Sequence, residues 1–362
     1  MKGASPSRAN ASPGVQADSN AGATSPLSDG RQGHAGGSAF ARFLLVRLGQ
    51  ALPVALVVVC INFFLIHAAP GDPVFALIGQ TETTPEYIQQ IRRDFGLDRP
   101  LLVQLTTYIG KVASLDLGYS LRYRQPVLDL ILERLPATLL LMGTALVFSS
   151  VVGVLLGVLA ARRPHGLVDN ATTFLALVGY SMPVFWLGQL LLLTFALNLP
   201  LFPVQGMASI RAPSEGIGRI LNIMHHLVLP VLTFSIYHLA LIFRLTRIKM
   251  IDVLSQDYIT TARAKGLSPA RITFRHALLN ALLPIVTVIG YNFGFMLAGS
   301  VLVETVFGWP GLGRLMFEAV TARDYPTLLG LFLFISFFVV IVNIATDVIY
   351  ALIDPRILYR SM

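Results

Sequence analysis

The sequence predicts an all-α membrane protein: six transmembrane helices, a helical insertion outside the membrane after the first, and a cytoplasmic loop between the fourth and fifth. Three observations lead there. Apolar side chains make up 54% of the 362 residues and charged ones only 13%, about half of the ~25% typical of soluble chains, and the mean hydropathy is +0.69. The charges leave six uncharged windows, 48–71, 135–161, 170–210, 220–243, 276–303 and 325–346, each at or above the roughly 20 residues that carry an α-helix across a bilayer. Lys and Arg, finally, sort by side. With a cytoplasmic N-terminus, 16 of the 27 fall in cytoplasmic segments; of the 11 outside, seven lie in the long 72–134 segment, where length weakens the positive-inside rule. Both termini are therefore placed in the cytoplasm. The same numbers exclude a soluble or wholly disordered chain, and the single cysteine, Cys60, allows no intrachain disulfide.

The elements follow in order. Residues 1–38 are read as a disordered cytoplasmic tail, since 24 of them are Ala, Ser, Gly or Pro and too few large apolar groups remain to offset the entropy of ordering. The first span, about 48–68, is too long for a signal-peptide core, and no A-x-A site follows it. In the external segment 72–134, TPEYIQQIRRDFG reads as a helix capped by Thr84, with Pro85 in its first turn and Gly96 as its stop. Two more helices are read in RPLLVQLTTYIGKVASLDLG and PVLDLILERL from their apolar faces. Further spans are placed at about 135–161, 170–198, 225–246, 278–303 and 327–351, the third ending where NLPLFP brings Pro200 and Pro203.

The cytoplasmic loop 247–277 carries the sharpest local signal. Met250 to Lys265 predicts a helix with Ile251, Leu254, Tyr258 and Ala262 on one stripe, and Arg263 and Lys265 at its end, where cations suit the helix dipole. Gly266 is a left-handed stop, and Ser268 caps a second helix that begins with Pro269. An apolar stripe in a loop with no core of its own needs a partner surface.

Polar residues inside the spans, Asn62, Gln189, His238, Asn292 and Asn343, are costly against lipid and are expected to face the bundle interior. Gln189, Asn292 and Ser300, near Gly294 and Gly299, are the candidates to line a path. Asp347 is expected to pair with Arg244 or Arg247. His225, His226 and His238 lack metal-ligand spacing, so no metal is expected. Ser181 lacks the G-x-S-x-G elbow of a hydrolase. Gly308, Gly311 and Gly313 are read as a tight turn, and no G-x-x-x-x-G-K-[ST] loop occurs in the sequence.

Several strings around these spans resemble the membrane permease subunits of binding-protein-dependent ABC importers, in the dipeptide, oligopeptide and nickel branch. They are LIHAAPGDP (65–73), FGLDRPLLVQ (95–104), LDLGYS (115–120), ERLPATL (133–139), TARAKGL followed by RHALLNALLP, VETVFGWPGLGRL (303–315), RDYP (323–326) and ALIDPR (351–356). Against the family's E-A-A-x-x-x-G motif, Thr260, Thr261 and Ala262 stand in the E-A-A positions. His276, Leu278 and Leu279 stand where I, L and P would follow. The resemblance implies a multi-pass protein of the bacterial inner membrane. Its partners would be a second, similar permease, two cytoplasmic ATP-binding subunits and an external substrate-binding protein, and its cargo dipeptides or oligopeptides, with nickel or another small solute as the alternative. It implies no cofactor and no nucleic acid, no enzymatic activity of the chain itself, and an ATPase-coupling loop made of Asp257, Tyr258, Ala262, Arg263, Gly266, Leu267 and Ser268. A stand-alone secondary transporter is the rival of another class; it would carry an ionisable residue near mid-span, where only His238 stands.

Overall fold

The computed structural model describes residues 32–68, 98–120, 122–209 and 215–353, together with 84–86, 89 and 93. The first window becomes α1 (Gln32–Ala68). Residues 1–31 of the expected tail lie outside the described residues, whereas 32–38 are already helical. In the segment 72–134 Thr84 is non-helical and Pro85 and Glu86 are helical, while Gly96 lies outside the described residues. The second expected helix is α2 (Leu101–Ala113). Its apolar stripe buries Val112 with Val59 and Leu333, and Asn62 of α1 donates to the Tyr108 hydroxyl at 2.8 Å.

The third expected external helix is not separate. After a short antiparallel pair, β1 (Tyr119–Ser120) and β2 (Gln125–Pro126), PVLDLILERL opens α3 (Val127–Ala161), which runs on through Pro136 into the second span. A proline inside a membrane helix is tolerated where neighbouring helices and adjusted turns satisfy the freed backbone groups.

The third window is not one straight span either. α4 (Leu167–Ser181) and α5 (Val184–Leu192), which continues as a π-helical turn to Asn198, meet at 103°. Pro183 has no N–H to continue the ladder and pushes its predecessor out of the helical region. Met182 is accordingly extended, with φ −79° and ψ 133°. Because GYSMP lies inside an unbroken apolar run, the charge-free window hides this break.

α6 (Gly216–Leu254) has 39 residues, about 58 Å at 1.5 Å per residue. After α7 (Asp257–Ala264) and α8 (Pro269–Arg271), a π-helical turn (Ile272–Ala277) leads into α9 (Leu278–Val306). α10 (Leu312–Ala322) and α11 (Tyr325–Ile353) complete the fold. Five helices are long and apolar enough to cross a membrane, and the bent α4–α5 pair, counted as one span, makes six among the described residues.

α3 and α6 form the centre of the bundle. A Cβ on Gly153 would stand 3.0 Å from Ile242 Cγ2, and one on Gly157 2.6 Å from Thr246 Cβ, so the small residues four apart let the two backbones close in. At the C-terminal end of α9, VETVFGWPGLGRL folds back on itself. The fully buried Glu304 carboxylate accepts from Thr138 Oγ1 at 2.8 Å and from the Arg314 N–H at 3.0 Å. It thereby serves the N-terminal turn of α10, where a carboxylate meets free N–H groups and the positive dipole end. Trp309, also fully buried, donates from Nε1 to the Ala137 carbonyl at 2.8 Å.

Candidate coupling site and translocation path

The C-terminal ends of α3 and α6, the N-terminal end of α9 and the helices between α6 and α9 share one packed base. Val158, Met250, Ile259, Ala262, Ile272 and Ala281 are buried together there, with Leu254 and Leu267 partly buried against them. The expected helix over Met250–Lys265 is interrupted: α6 stops at Leu254, Gln256 is extended, and α7 restarts at Asp257. That break turns the stripe. Ile259 and Ala262 point into the base, and Tyr258, expected on the same stripe, is exposed, its hydroxyl accepting from Asn280 Nδ2 at 3.0 Å.

α7 ends as the sequence predicts. Gly266 has φ +75°, its N–H bonds to the Arg263 carbonyl at 2.9 Å, and the Leu267 N–H reaches back to the Ala262 carbonyl at 3.3 Å. These two bonds define a Schellman motif, with Leu267 supplying the apolar contact that commonly accompanies it. Ser268 Oγ then accepts from the Arg271 N–H at 3.4 Å and Pro269 opens α8. The outcome is a knuckle whose inner side is Ile259 and Ala262 and whose outer side presents Asp257, Tyr258, Arg263 and Ser268.

The path candidates are not brought together. Gln189 is exposed on α5, and Asn292, half-buried on α9, donates to the Val288 carbonyl of its own helix at 2.7 Å. Ser300 is fully buried, with Oγ bonded to the Leu297 carbonyl at 2.9 Å, and belongs to the packed corner around Glu304. Of the other span residues, Asn62 and His238 are buried and Asn343 is exposed. Asp347 pairs with Arg47 of α1 at 3.1 Å rather than with Arg244 or Arg247, because Arg247 is held by Asp169, donating from Nη2 to Oδ2 at 2.7 Å and from Nε to Oδ1.

The corner where β1, α10 and the start of α11 meet is tied by side chains that sequence reading did not single out. Ser120 donates to Asp324 Oδ2 at 2.5 Å, and Asp324 also accepts from Thr327 Oγ1 at 2.8 Å at the start of α11. The Tyr123 hydroxyl donates to Glu318 Oε2 at 2.7 Å, and Arg314 Nε to Oε1 at 2.8 Å. Burial raises the Tyr123 phenol above its ordinary value, and the neighbouring Glu318 carboxylate adds to the shift. For Glu318 burial alone acts upward, but the hydrogen bonds from Tyr123 and Arg314 outweigh it and hold the carboxyl below its ordinary 4.5. Glu304 and Asp169 were equally missed. Each stands next to the end of a charge-free window, where a charge reads simply as the limit of a span.

Residues 153–359 match the family described as binding-protein-dependent transport system inner membrane component, and residues 40–142 match the model for its N-terminal region. The chain belongs to this family. It is 39% identical over 337 residues to the dipeptide transport system permease protein DppB of Escherichia coli (strain K12), covering 88% of this chain and 99% of that one. It is 40% identical over 332 residues to the di/tripeptide transport system permease protein DppB of Pseudomonas aeruginosa (strain UCBPP-PA14), with the same coverage. To the oligopeptide transport system permease protein AppB of Bacillus subtilis (strain 168) it is 37% identical over 320 residues, covering 88% of this chain and 100% of that one. Among solved structures, a chain of the inward-facing MetNI methionine ABC transporter superposes with a TM-score of 0.50 at 16% identity, over 62% of this chain and 97% of that one. That likeness shows the fold alone. As a member of the family the chain is a multi-pass inner-membrane component of a transport system.

Proposed function

We propose that the chain is the membrane-spanning translocation subunit of an ATP-driven importer for dipeptides and oligopeptides. It works with a second, similar permease, two cytoplasmic ATP-binding subunits and an external substrate-binding protein. The observation that carries the cargo class is its near-full-length similarity to permeases named for dipeptides and oligopeptides. The coupling role rests on the knuckle Asp257–Ser268, which joins the long α6 to α9 and presents Asp257, Tyr258 and Arg263 to the cytoplasm. ATP binding and hydrolysis on the partner subunits displace α7; the shared base passes that displacement to α3, α6 and α9; and the bundle alternates between outward and inward openings. Gln189 and Asn292 face the path. Ser300, sealed against Glu304, does not. Both termini and the 247–277 loop lie in the cytoplasm, and residues 72–134 face the external binding protein.

The chain has no phosphate-cradling loop, so in liposomes on its own it neither hydrolyses ATP nor accumulates peptide. With the partner subunits and the loaded binding protein, ATP drives uptake of a labelled dipeptide. Uptake driven by a proton or sodium gradient through the chain alone would overturn the proposal in favour of a secondary transporter.

A further inference from the structure

α4 buries little of its own surface in the single chain. Most of its large apolar side chains, Leu167, Val168, Phe174, Leu175 and Leu177 among them, are exposed, and its one fully buried residue is an acid, Asp169. That acid is 1% exposed. It is gripped by two nitrogens of Arg247 on α6 and accepts a third hydrogen bond from the His165 N–H at 2.8 Å, at the turn that leads in from α3. A planar guanidinium held at two points fixes direction as well as distance.

At its other end α4 touches α6 again. A Cβ on Gly179 would stand 2.6 Å from Ile236 Cγ2, and the rings of Tyr180 and Tyr237 stack with centroids 4.8 Å apart. Between the two attachments α4 and α6 run side by side but leave a gap. An apolar groove of about 340 Å³ opens there, lined in part by Thr172 and Leu175 of α4, by Leu156 of α3, and by Ile236, Leu239 and Phe243 of α6. α4 is thus a strut pinned at its ends. Its cytoplasmic pin sits on α6 seven residues before Leu254, the last residue of α6, and its far end is the Met182–Pro183 break.

From this arrangement we infer that the Asp169–Arg247 pair is the positioning element that makes the broken span follow α6. When the knuckle moves α6, Arg247 carries Asp169 with it, α4 turns about its outer attachment, and the 103° joint to α5 changes. Without the pair, α6 still moves but slides past α4 across the open groove. The inference rests on the proposed coupling through the 257–268 knuckle, and it assigns to two residues outside that knuckle the relay of its motion.

The test uses the complete reconstituted complex and reads two quantities, peptide uptake and ATP hydrolysis stimulated by loaded binding protein. In Asp169→Asn and in Arg247→Gln, stimulated hydrolysis is expected to stay within about twofold of wild type while peptide moved per ATP falls about tenfold, within the range of an ordinary coupling free energy. The double substitution should be no worse than either single one, because both remove the same contact. Arg247→Lys, which keeps the charge but not the two-point grip, should recover part of the lost ratio. Unchanged peptide per ATP in the single variants would overturn the inference. So would hydrolysis and uptake falling together with loss of the ATPases on purification, which would mark the pair as a fold contact only. A wild-type complex that fails to move peptide at all would instead refute the proposed function, so the two failures are distinct.

Discussion

Replacing Gly266 with valine introduces strain without a clash, and this separates the knuckle's geometry from its packing. Nothing lies within 4 Å of a Cβ built on Gly266, and its φ is +75°. The cost is therefore conformational, about 1–2 kcal/mol for an L-residue in the left-handed region, with the β-branch adding to it. A stability change of that size shifts the occupancy of the Schellman turn by a factor of about 5–30. Two responses are open to the chain: the turn unwinds, or α7 runs on by another turn. Either one withdraws Leu267 from the base and re-aims Asp257, Tyr258 and Arg263. The spans do not share this turn, so expression and membrane insertion should stay near wild type. Peptide uptake should fall by at least about tenfold, and the ATPases should be lost on co-purification. Gly266→Asn is the control, because asparagine accepts the left-handed conformation far more readily, and it should retain most uptake. Wild-type uptake and co-purification in Gly266→Val would refute a coupling role for this turn.

Two further outcomes are expected. With Cys60 replaced, cysteines at Gln89 and Ser268 should label oppositely with an impermeant thiol reagent applied outside, Gln89 reacting and Ser268 protected; the reverse would invert the topology. Glu304→Ala leaves the Thr138 hydroxyl and the Arg314 N–H without their buried acceptor, a loss of about 1–3 kcal/mol for each buried polar group left unsatisfied. It should lower the thermal unfolding temperature in detergent well below that of Glu318→Ala, whose carboxylate is partly exposed. Equal effects would mean that the Glu304 contacts do not seat α10.

The spans were legible because lipid imposes one rule on every residue: charges stay out and backbone groups pair within the helix. The knuckle was legible because Gly266, Ser268 and Pro269 each have a strong local preference that tertiary packing did not override. What escaped was whatever depends on distance along the chain. Nothing near Asp169 in the sequence points to Arg247, 78 residues on, and Asp347 was an equally good partner on paper. Nothing near Glu304 points to Thr138, 166 residues away. The break at Met182 is a different case. Proline announces it, but apolar composition on both sides argues for one continuous helix, and membrane helices tolerate proline at Pro136, Pro230 and Pro284 without breaking. Only the backbone separates these outcomes.

The same rule that made the spans readable makes the path unreadable from one chain. In lipid there is no hydrophobic drive between helices, since the tails are as apolar as leucine, and association depends on close packing and polar contacts. An exposed leucine on α4 therefore suits lipid and a partner helix equally well. Exposed polar groups do not. Gln189, Asn343 and the Tyr180 and Tyr237 hydroxyls, 3.5 Å apart, stand open in the single chain, and each would be unfavourable against hydrocarbon. They mark the sides of α4, α5, α6 and α11 where the proposed second permease or the water of the path must lie.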